Sequence, residues 1–197
     1  GSNDQIVSTV SLIDPQHPDK VRKLAELPGG GWSGFRFSPD DKLLVYTEYV
    51  SANESYLWLM DLDTGKSLWH KEYTLRPVRM NKDNIGASGS PTADANQVYF
   101  TFVGQEGYKV YCLDHAGNEK WTYDLGKWDS QHGCGCSPIV VDDVLIVPND
   151  QDGPTASIVA LDKATGKPRW QVPRKTGANG AAASTPCIYQ PPNGGPA

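Results

Sequence analysis

The sequence predicts an all-β protein, a β-propeller of four-stranded antiparallel blades with about four blades to the chain. Two observations carry that expectation. A unit made of Ser/Thr-Pro, an apolar strand, a turn, a second apolar strand, a Gly-containing turn and a Trp is written three times, and its clearest copies end at Trp69, Trp121 and Trp170. Their period is roughly 50 residues, inside the range of propeller blades and longer than the common helical repeats. From Pro39 to Trp69, Pro91 to Trp121 and Pro138 to Trp170 the interval stays near roughly 30 residues, room for four short strands and three turns.

Composition points the same way. The 20 Gly and 15 Pro punctuate short apolar runs such as Leu43-Leu44-Val45-Tyr46, Val98-Tyr99-Phe100 and Val144-Leu145-Ile146-Val147, each bounded by Asp, Asn or Gly. No helix-period stretch of useful length is visible.

In chain order, residues 5–13 and 20–27, joined by the Asp14-Pro15-Gln16-His17-Pro18 turn, read as the two outer strands of a split blade (5–27). Residues 19–27 could form one or two helical turns, but Pro18 and Pro28 bracket them, and a strand alternating Val21, Lys23 and Ala25 fits as well. Whole blades are expected at 32–73, 85–125 and 134–172. Residues 183–189 then repeat the Ser/Thr-Pro strand, so that 183–197 supplies the inner strand of a split blade. Three blades and two fragments fit either a small ring closed within one chain or half of an eight-bladed ring made by two chains exchanging ends. An open half-ring would expose apolar blade faces and is the least expected state.

From Ile85 onward the chain resembles the pyrroloquinoline-quinone-like β-propeller repeats of quinoprotein dehydrogenases and of bacterial outer-membrane assembly lipoproteins. The resemblance rests on the Ser-Pro of the innermost strand, the Leu-Asp…Gly…Trp ending of each blade, and Ala160-Leu161-Asp162 with Trp170 in particular. It implies that the repeated Trp packs between neighbouring blades, as a large planar apolar residue occurring once per blade would do physically. Trp32, Trp69, Trp121 and Trp170 are therefore expected to be packing residues. The first quarter differs: Phe35-Arg36-Phe37-Ser38-Pro39-Asp40-Asp41-Lys42 is similar to the turn of TolB-type and WD40-type propellers, a mixture that natural divergence or an engineered fusion would both produce.

Candidate site residues collect in the longer loops, which the propeller reading puts on one face of the scaffold, opposite tight turns such as Asp162–Lys167. Two polar loops belong to one blade, Trp128–Gly133 and Asn149–Pro154. Asp129, Gln131, His132, Asn149, Asp150 and Asp152 are the candidate ligand-binding residues. Asn149, Asp150 and Asp152 offer hard oxygen ligands to Ca²⁺, and Asp129 with His132 has the composition of a general base pair. The plainer reading is that Asn, Asp and Gly cap turns here. Cys134 and Cys136, in Gly133-Cys134-Gly135-Cys136, read as small thiols crowded near the axis rather than as a metal site, since only His132 is close. Cys112 and Cys187 lie on separate strands and give no disulfide framework.

Quinone-dependent dehydrogenases need a Trp platform, an acidic base, Ca²⁺ ligands and commonly two adjacent cysteines. Gly135 separates Cys134 from Cys136, and no phosphate loop or nucleophile motif stands in context. The expectation is therefore a non-catalytic scaffold with no cofactor and no metal, binding other proteins or itself by strand exchange as a homo-oligomer. The alternative is a quinoprotein-like redox or sugar-binding module holding pyrroloquinoline quinone with calcium on the polar loop face.

A net charge of −5 without a basic run argues against nucleic acid or an anionic membrane surface as partner, and no stretch has the apolar length of a membrane span. Gly1-Ser2 looks like an expression scar, so the absence of a leader does not argue for the cytoplasm. By the resemblance, the natural parent is expected in the periplasm or secreted, and the chain itself is either natural, a fragment or an engineered piece.

Overall fold

A computed structural model describes residues 7–28, 32–51, 54–74, 76, 78, 89–130, 132–175, 184–189 and 192. Its fourteen strands form one hairpin, β1 (Val7–Asp14) with β2 (His17–Pro28), and three four-stranded antiparallel sheets. The first sheet runs β3 (Trp32–Phe37), β4 (Leu43–Ser51), β5 (Glu54–Asp61) and β6 (Ser67–Thr74). The second contains β7 (Thr92–Ala93), β8 (Gln97–Gly104), β9 (Gly107–Asp114) and β10 (Glu119–Asp124). The third contains β11 (Ile139–Val141), β12 (Val144–Asn149), β13 (Ser157–Asp162) and β14 (Pro168–Pro173). In each sheet the strands follow chain order, the meander of a propeller blade. The ambiguous segment near residues 19–27 is strand, paired across β1.

The sheets stack face to face, and this explains their near-continuous apolar runs. On β8 the side chains of Val98, Phe100 and Phe102 join Val45, Leu57 and Leu59 of the first sheet, while Tyr99, on the opposite face, joins Leu145, Val147, Val159 and Leu161 of the third. Successive residues point to opposite faces of a strand, so a middle blade must be apolar on both. The first sheet repeats this: Val45 faces the second sheet, while Leu44 and Tyr46 pack with Met60, Leu62, Trp58 and Val10 of the hairpin. Each fully buried Leu or Phe contributes about 1.5–3 kcal/mol.

The innermost strands β3, β7 and β11 lie side by side. Small residues allow it: a Cβ on Gly34 would stand 2.5 Å from Ser90 Cα, and one on Gly89 would stand 2.5 Å from the Cys136 carbonyl oxygen. The Ser90 amide donates to Ser137 Oγ at 2.9 Å, tying successive Ser-Pro segments together. Residues 184–189, expected as an inner strand, form none; they pass near these strands, since Pro186 and Ile188 line a cavity of about 320 Å³ together with Arg36, Thr92 and Ile139.

The third and fourth strands of every blade meet through the same device. Asp61 Oδ1 accepts from the amide and hydroxyl of Thr64, both at 2.7 Å, and Asp162 Oδ1 accepts from the amide and hydroxyl of Thr165, both at 2.9 Å. In the second sheet Asp114 Oδ1 accepts from the Asn118 amide at 2.8 Å. These Asx turns are the physical content of the repeated Asp…Gly motif. Each is followed by a register shift in the strand pair just before the Trp, which places Trp69 opposite Leu59, Trp121 opposite Cys112 and Trp170 opposite Ala160.

The four tryptophans expected to pack do not behave alike. The Trp69 indole donates to the His115 carbonyl of the next blade at 2.9 Å, and the Trp121 indole to the Lys163 carbonyl at 3.0 Å. Trp121 is 9% exposed, but Trp170 is 46% exposed. The expectation that Trp170 fills a blade interface is corrected for the described residues: its strand position is the same, but none of their turns lies against it. Trp32 opens β3, and its side chain lies outside the described residues.

Candidate functional site

The polar loops of the third blade meet beside the second. The link between β10 and β11 and the link between β12 and β13 are joined by Gln151, a fully buried side chain. Its Oε1 accepts from the Asp129 amide at 2.6 Å and its Nε2 donates to Asn149 Oδ1 at 2.9 Å. Asn149 Nδ2 in turn donates to the Thr155 carbonyl at 3.2 Å. Asp150, one residue from each, points the other way and forms an ion pair with Arg174 just beyond β14. This alternation is that of a strand continuing past its last ladder bond, with 149 and 151 on one side and 150 on the other.

Beneath these loops lies a second buried network. The Cys134 thiol donates to Tyr108 Oη at 2.8 Å, and the Tyr108 hydroxyl donates to the Pro148 carbonyl at 3.1 Å. Trp128 packs edge-on against Tyr108, ring centroids 5.1 Å apart, and its indole donates to the His132 carbonyl at 2.9 Å. Burial pushes the Cys134 thiol up, and pushes Cys136 up to about 12 with the neighbouring Cys134 and Asp150 adding to the effect. Both are therefore protonated at neutral pH and are weak nucleophiles. All four cysteines are free thiols, with Cys112, Cys134 and Cys136 buried and Cys187 exposed.

Of the residues singled out in sequence, Asp129 and Asn149 are brought together through Gln151. Asp150 is turned to Arg174, Asp152 is half-buried, and His132 has an exposed side chain with its carbonyl held by Trp128. Gln131 lies outside the described residues. Gln151, Arg174, Tyr108 and Trp128 organise the region; sequence reasoning had Trp128 and Gln151 in the two polar loops without a role, and had not placed Tyr108 or Arg174 there. The signal for Gln151 was present in the two-residue period of Asn149-Asp150-Gln151.

Calcium takes about six to eight oxygen ligands. Here the Asn149 amide is spent on Thr155 and Gln151, one Asp150 oxygen faces Arg174, and its Oδ1 is a single buried oxygen without a hydrogen bond. Among the described residues no three His, Cys, Asp or Glu side chains converge as a metal-binding group. Trp128 is buried edge-on rather than offered as a platform. The residues do not fit pyrroloquinoline quinone with calcium.

What the loops leave open is a cleft of about 450 Å³ lined by Val78, Gly104, Gln105, Lys127, Asp129 and Ser130, with Trp128 at its wall. Glu106 beside it is paired with Arg76, which holds its carboxyl below the usual carboxylate range. The cleft is more polar than apolar and open to solvent.

No curated protein matches the chain in sequence. Solved structures do match in fold. The Dos1 propeller is similar over 91% of this chain and 42% of its own length, with a TM-score of 0.58 and 12% identity. A chain of the mitotic checkpoint complex gives 0.53 and 14% over 91% of this chain and 49% of its own. Europium-containing methanol dehydrogenase gives 0.50 and 18% over 68% of this chain and 23% of its own. The chain thus spans about a quarter to a half of the length of these structures, and at such identities they establish the propeller fold alone. Among the described residues no helix is long and apolar enough to cross a membrane. The family model described as outer membrane protein assembly factor BamB matches residues 53–191, from the outer strands β5 and β6 of the first sheet through the second and third sheets to the segment after them, and the chain belongs to that family.

Proposed function

We propose that this protein is a non-catalytic propeller scaffold of the bacterial envelope whose cleft beside Trp128 holds an extended segment of a partner protein. The observation that supports it is the division of polar groups. Gln151, Asn149 and Asp150 are bonded inside the fold, where they fix the loops, while Gln105, Lys127 and Ser130 face an open cleft of about 450 Å³. Rigid loops with accessible polar groups and backbone are how a scaffold presents a recognition surface. The envelope location and the role of partner binding come from the family, an assembly factor for outer membrane proteins, by analogy at the level of fold.

The test places a photo-crosslinking residue at Lys127 and, on the opposite face, at Lys167, and offers each an unfolded outer-membrane β-barrel protein. Crosslinking at 127, lost when Ser130→Arg fills the cleft and absent at 167, is the expected result. Equal labelling at both positions, or none at 127, overturns the proposal.

A further inference from the structure

One repeat differs from its neighbours in chemistry at two positions where packing asks only for small size. Counting back from each Ser/Thr-Pro, Gly89 and Ala87 stand one and three residues before Ser90-Pro91, and Ser184 and Ala182 stand likewise before Thr185-Pro186. The same two positions before Ser137-Pro138 hold Cys136 and Cys134, with Gly135 between them. Gly, Ala and Ser answer the crowding in the other repeats, so volume alone does not call for sulfur at both positions of this one.

The two thiols enter one cluster. Cys134 and Cys136 pack with Val103, Tyr108 and Trp128, at 3% and 1% exposure, as residues two apart do when they project to one side of the chain. The Cys134 sulfur lies 2.8 Å from Tyr108 Oη and 3.6 Å from the Cys136 carbonyl oxygen, so it already reaches along the chain to the second cysteine. Two residues of chain span at most about 6.6–7.2 Å, and a disulfide wants its Cα atoms about 4.4–6.8 Å apart. A slight bend at Gly135, which has no side chain to oppose it, keeps the pair inside that range. Cys112 is held away from both: it belongs to the core between the second and third sheets, four residues along β9 from Tyr108, or about 13 Å.

We propose that Cys134 and Cys136 form a redox couple, closed by hydrogen peroxide into a disulfide across Gly135, and that its closure moves the Trp128 wall of the cleft. Peroxide is small and uncharged, which thiols at 3% and 1% exposure require of an oxidant. One sulfur attacks the peroxide O–O bond and becomes a sulfenic acid, and the hydroxide that leaves takes the thiol proton as water. The second sulfur attacks the sulfenic sulfur, the S–S bond forms, and the displaced hydroxide departs as water with the second thiol proton. Two thiols are oxidised and one peroxide is reduced to two waters. Buried, protonated thiols react slowly, so the couple answers to sustained exposure. Closure withdraws the hydrogen that Cys134 gives to Tyr108 and turns its sulfur toward Cys136. Tyr108 is the ring on which Trp128 rests edge-on, and Trp128 stands at the cleft wall. The couple is a property of this blade and is independent of what the cleft holds.

The experiment uses the full chain carrying Cys187→Ser, which removes the exposed thiol and leaves Cys112, Cys134 and Cys136. The folded protein is held in hydrogen peroxide, the peroxide is destroyed with catalase, and the chain is then unfolded, alkylated and digested with trypsin. Untreated protein takes up an alkyl group on each of its three cysteines. After peroxide it is expected to take up one, on Cys112, while the tryptic peptide 128–163 is lighter by two hydrogens and regains both sites after dithiothreitol. Tryptophan emission is expected to shift with the same time course, and the shift to be absent in Trp128→Phe and in Cys136→Ala. A peptide 128–163 that keeps two alkylation sites, gains oxygen on either cysteine in place of losing hydrogen, or is crosslinked to Cys112 overturns the couple. A disulfide that forms with no change in emission, or a shift that persists in Cys136→Ala, overturns the movement of Trp128.

Discussion

Trp121 and Trp170 stand at the same position of two consecutive blades, and their surroundings differ. Trp121 is covered by the Asp162–Lys167 turn of the following blade, which accepts its indole hydrogen and lays Gly166 on its ring. Among the described residues no such turn lies against Trp170, which is half exposed. The strand that carries it, β14, is exposed along all six residues, whereas β10 buries Trp121. A repeat therefore folds its strands from its own sequence but buries its outer face only when the next repeat arrives, as expected where each unit contacts only its neighbours. The stability of this chain should then be concentrated at its two complete junctions.

The largest test of that contrast is Trp121→Ala. Removing a large side chain from a closed junction costs about 3–5 kcal/mol, read as a lowered urea midpoint at unchanged slope. A loss below about 1 kcal/mol would mean that the junction is not where the cohesion lies. Gly166→Ala approaches the same junction from the other side. Gly166 has φ +71, and a left-handed conformation costs a side-chain-bearing residue about 1–2 kcal/mol. A methyl group 2.6 Å from the Trp121 ring adds about 1–3 kcal/mol of overpacking. Gly153 has φ +82 and a Cβ there would meet nothing within 4 Å, so Gly153→Ala isolates the backbone cost alone. Equal losses at the two glycines would remove packing from the account.

Acid should loosen the same turns. Asn118 and Lys120 hold Asp114 down to about 2, and Arg169 with Thr165 holds Asp162 down to about 2, against an ordinary 3.8. The folded state thus binds fewer protons than the unfolded chain between those values. The carboxylates contribute stability that is fully present above pH 3.8 and is lost as pH falls toward 2. Both side chains are partly exposed and their ion pairs are screened by solvent, so the effect is small. The expected result is a urea midpoint that drops over that window and drops less steeply in Asp162→Asn. An unaltered slope in the variant would show that the turn carboxylates do not drive the acid response.

Much of this was legible in the sequence, and what was not has a common cause. The three blades could be read because the repeat fixes turn, strand and Trp in fixed order, and because the Asp…Gly turn closes on itself within a few residues. The β2 strand was ambiguous because Pro18 and Pro28 limit it on both sides and its two-residue period is weak. Gln151 was missed although its period is readable, since attention to Asn149, Asp150 and Asp152 as oxygen donors set aside the fact that a strand end sends alternate residues opposite ways. The partnership of Asp150 with Arg174 could not be read, since it depends on where β14 ends relative to a loop far from it in sequence. Exposure at Trp170 is the extreme case: its local sequence matches that of Trp121, and the difference is made by a neighbour.

The smallest effect completes the contrast. At concentrations too low for copies to associate, Trp170→Ala should cost less than about 1 kcal/mol, because an exposed side chain gives up little burial on truncation. That is several-fold below the expected cost of Trp121→Ala, at the same strand position and with the same change in volume. The comparison therefore cancels whatever the substitution does to strand propensity and unfolded chain alike and leaves the neighbouring blade as the remaining variable. Were Trp170→Ala to cost as much as Trp121→Ala in dilute solution, the third blade would have to be closed by this chain itself.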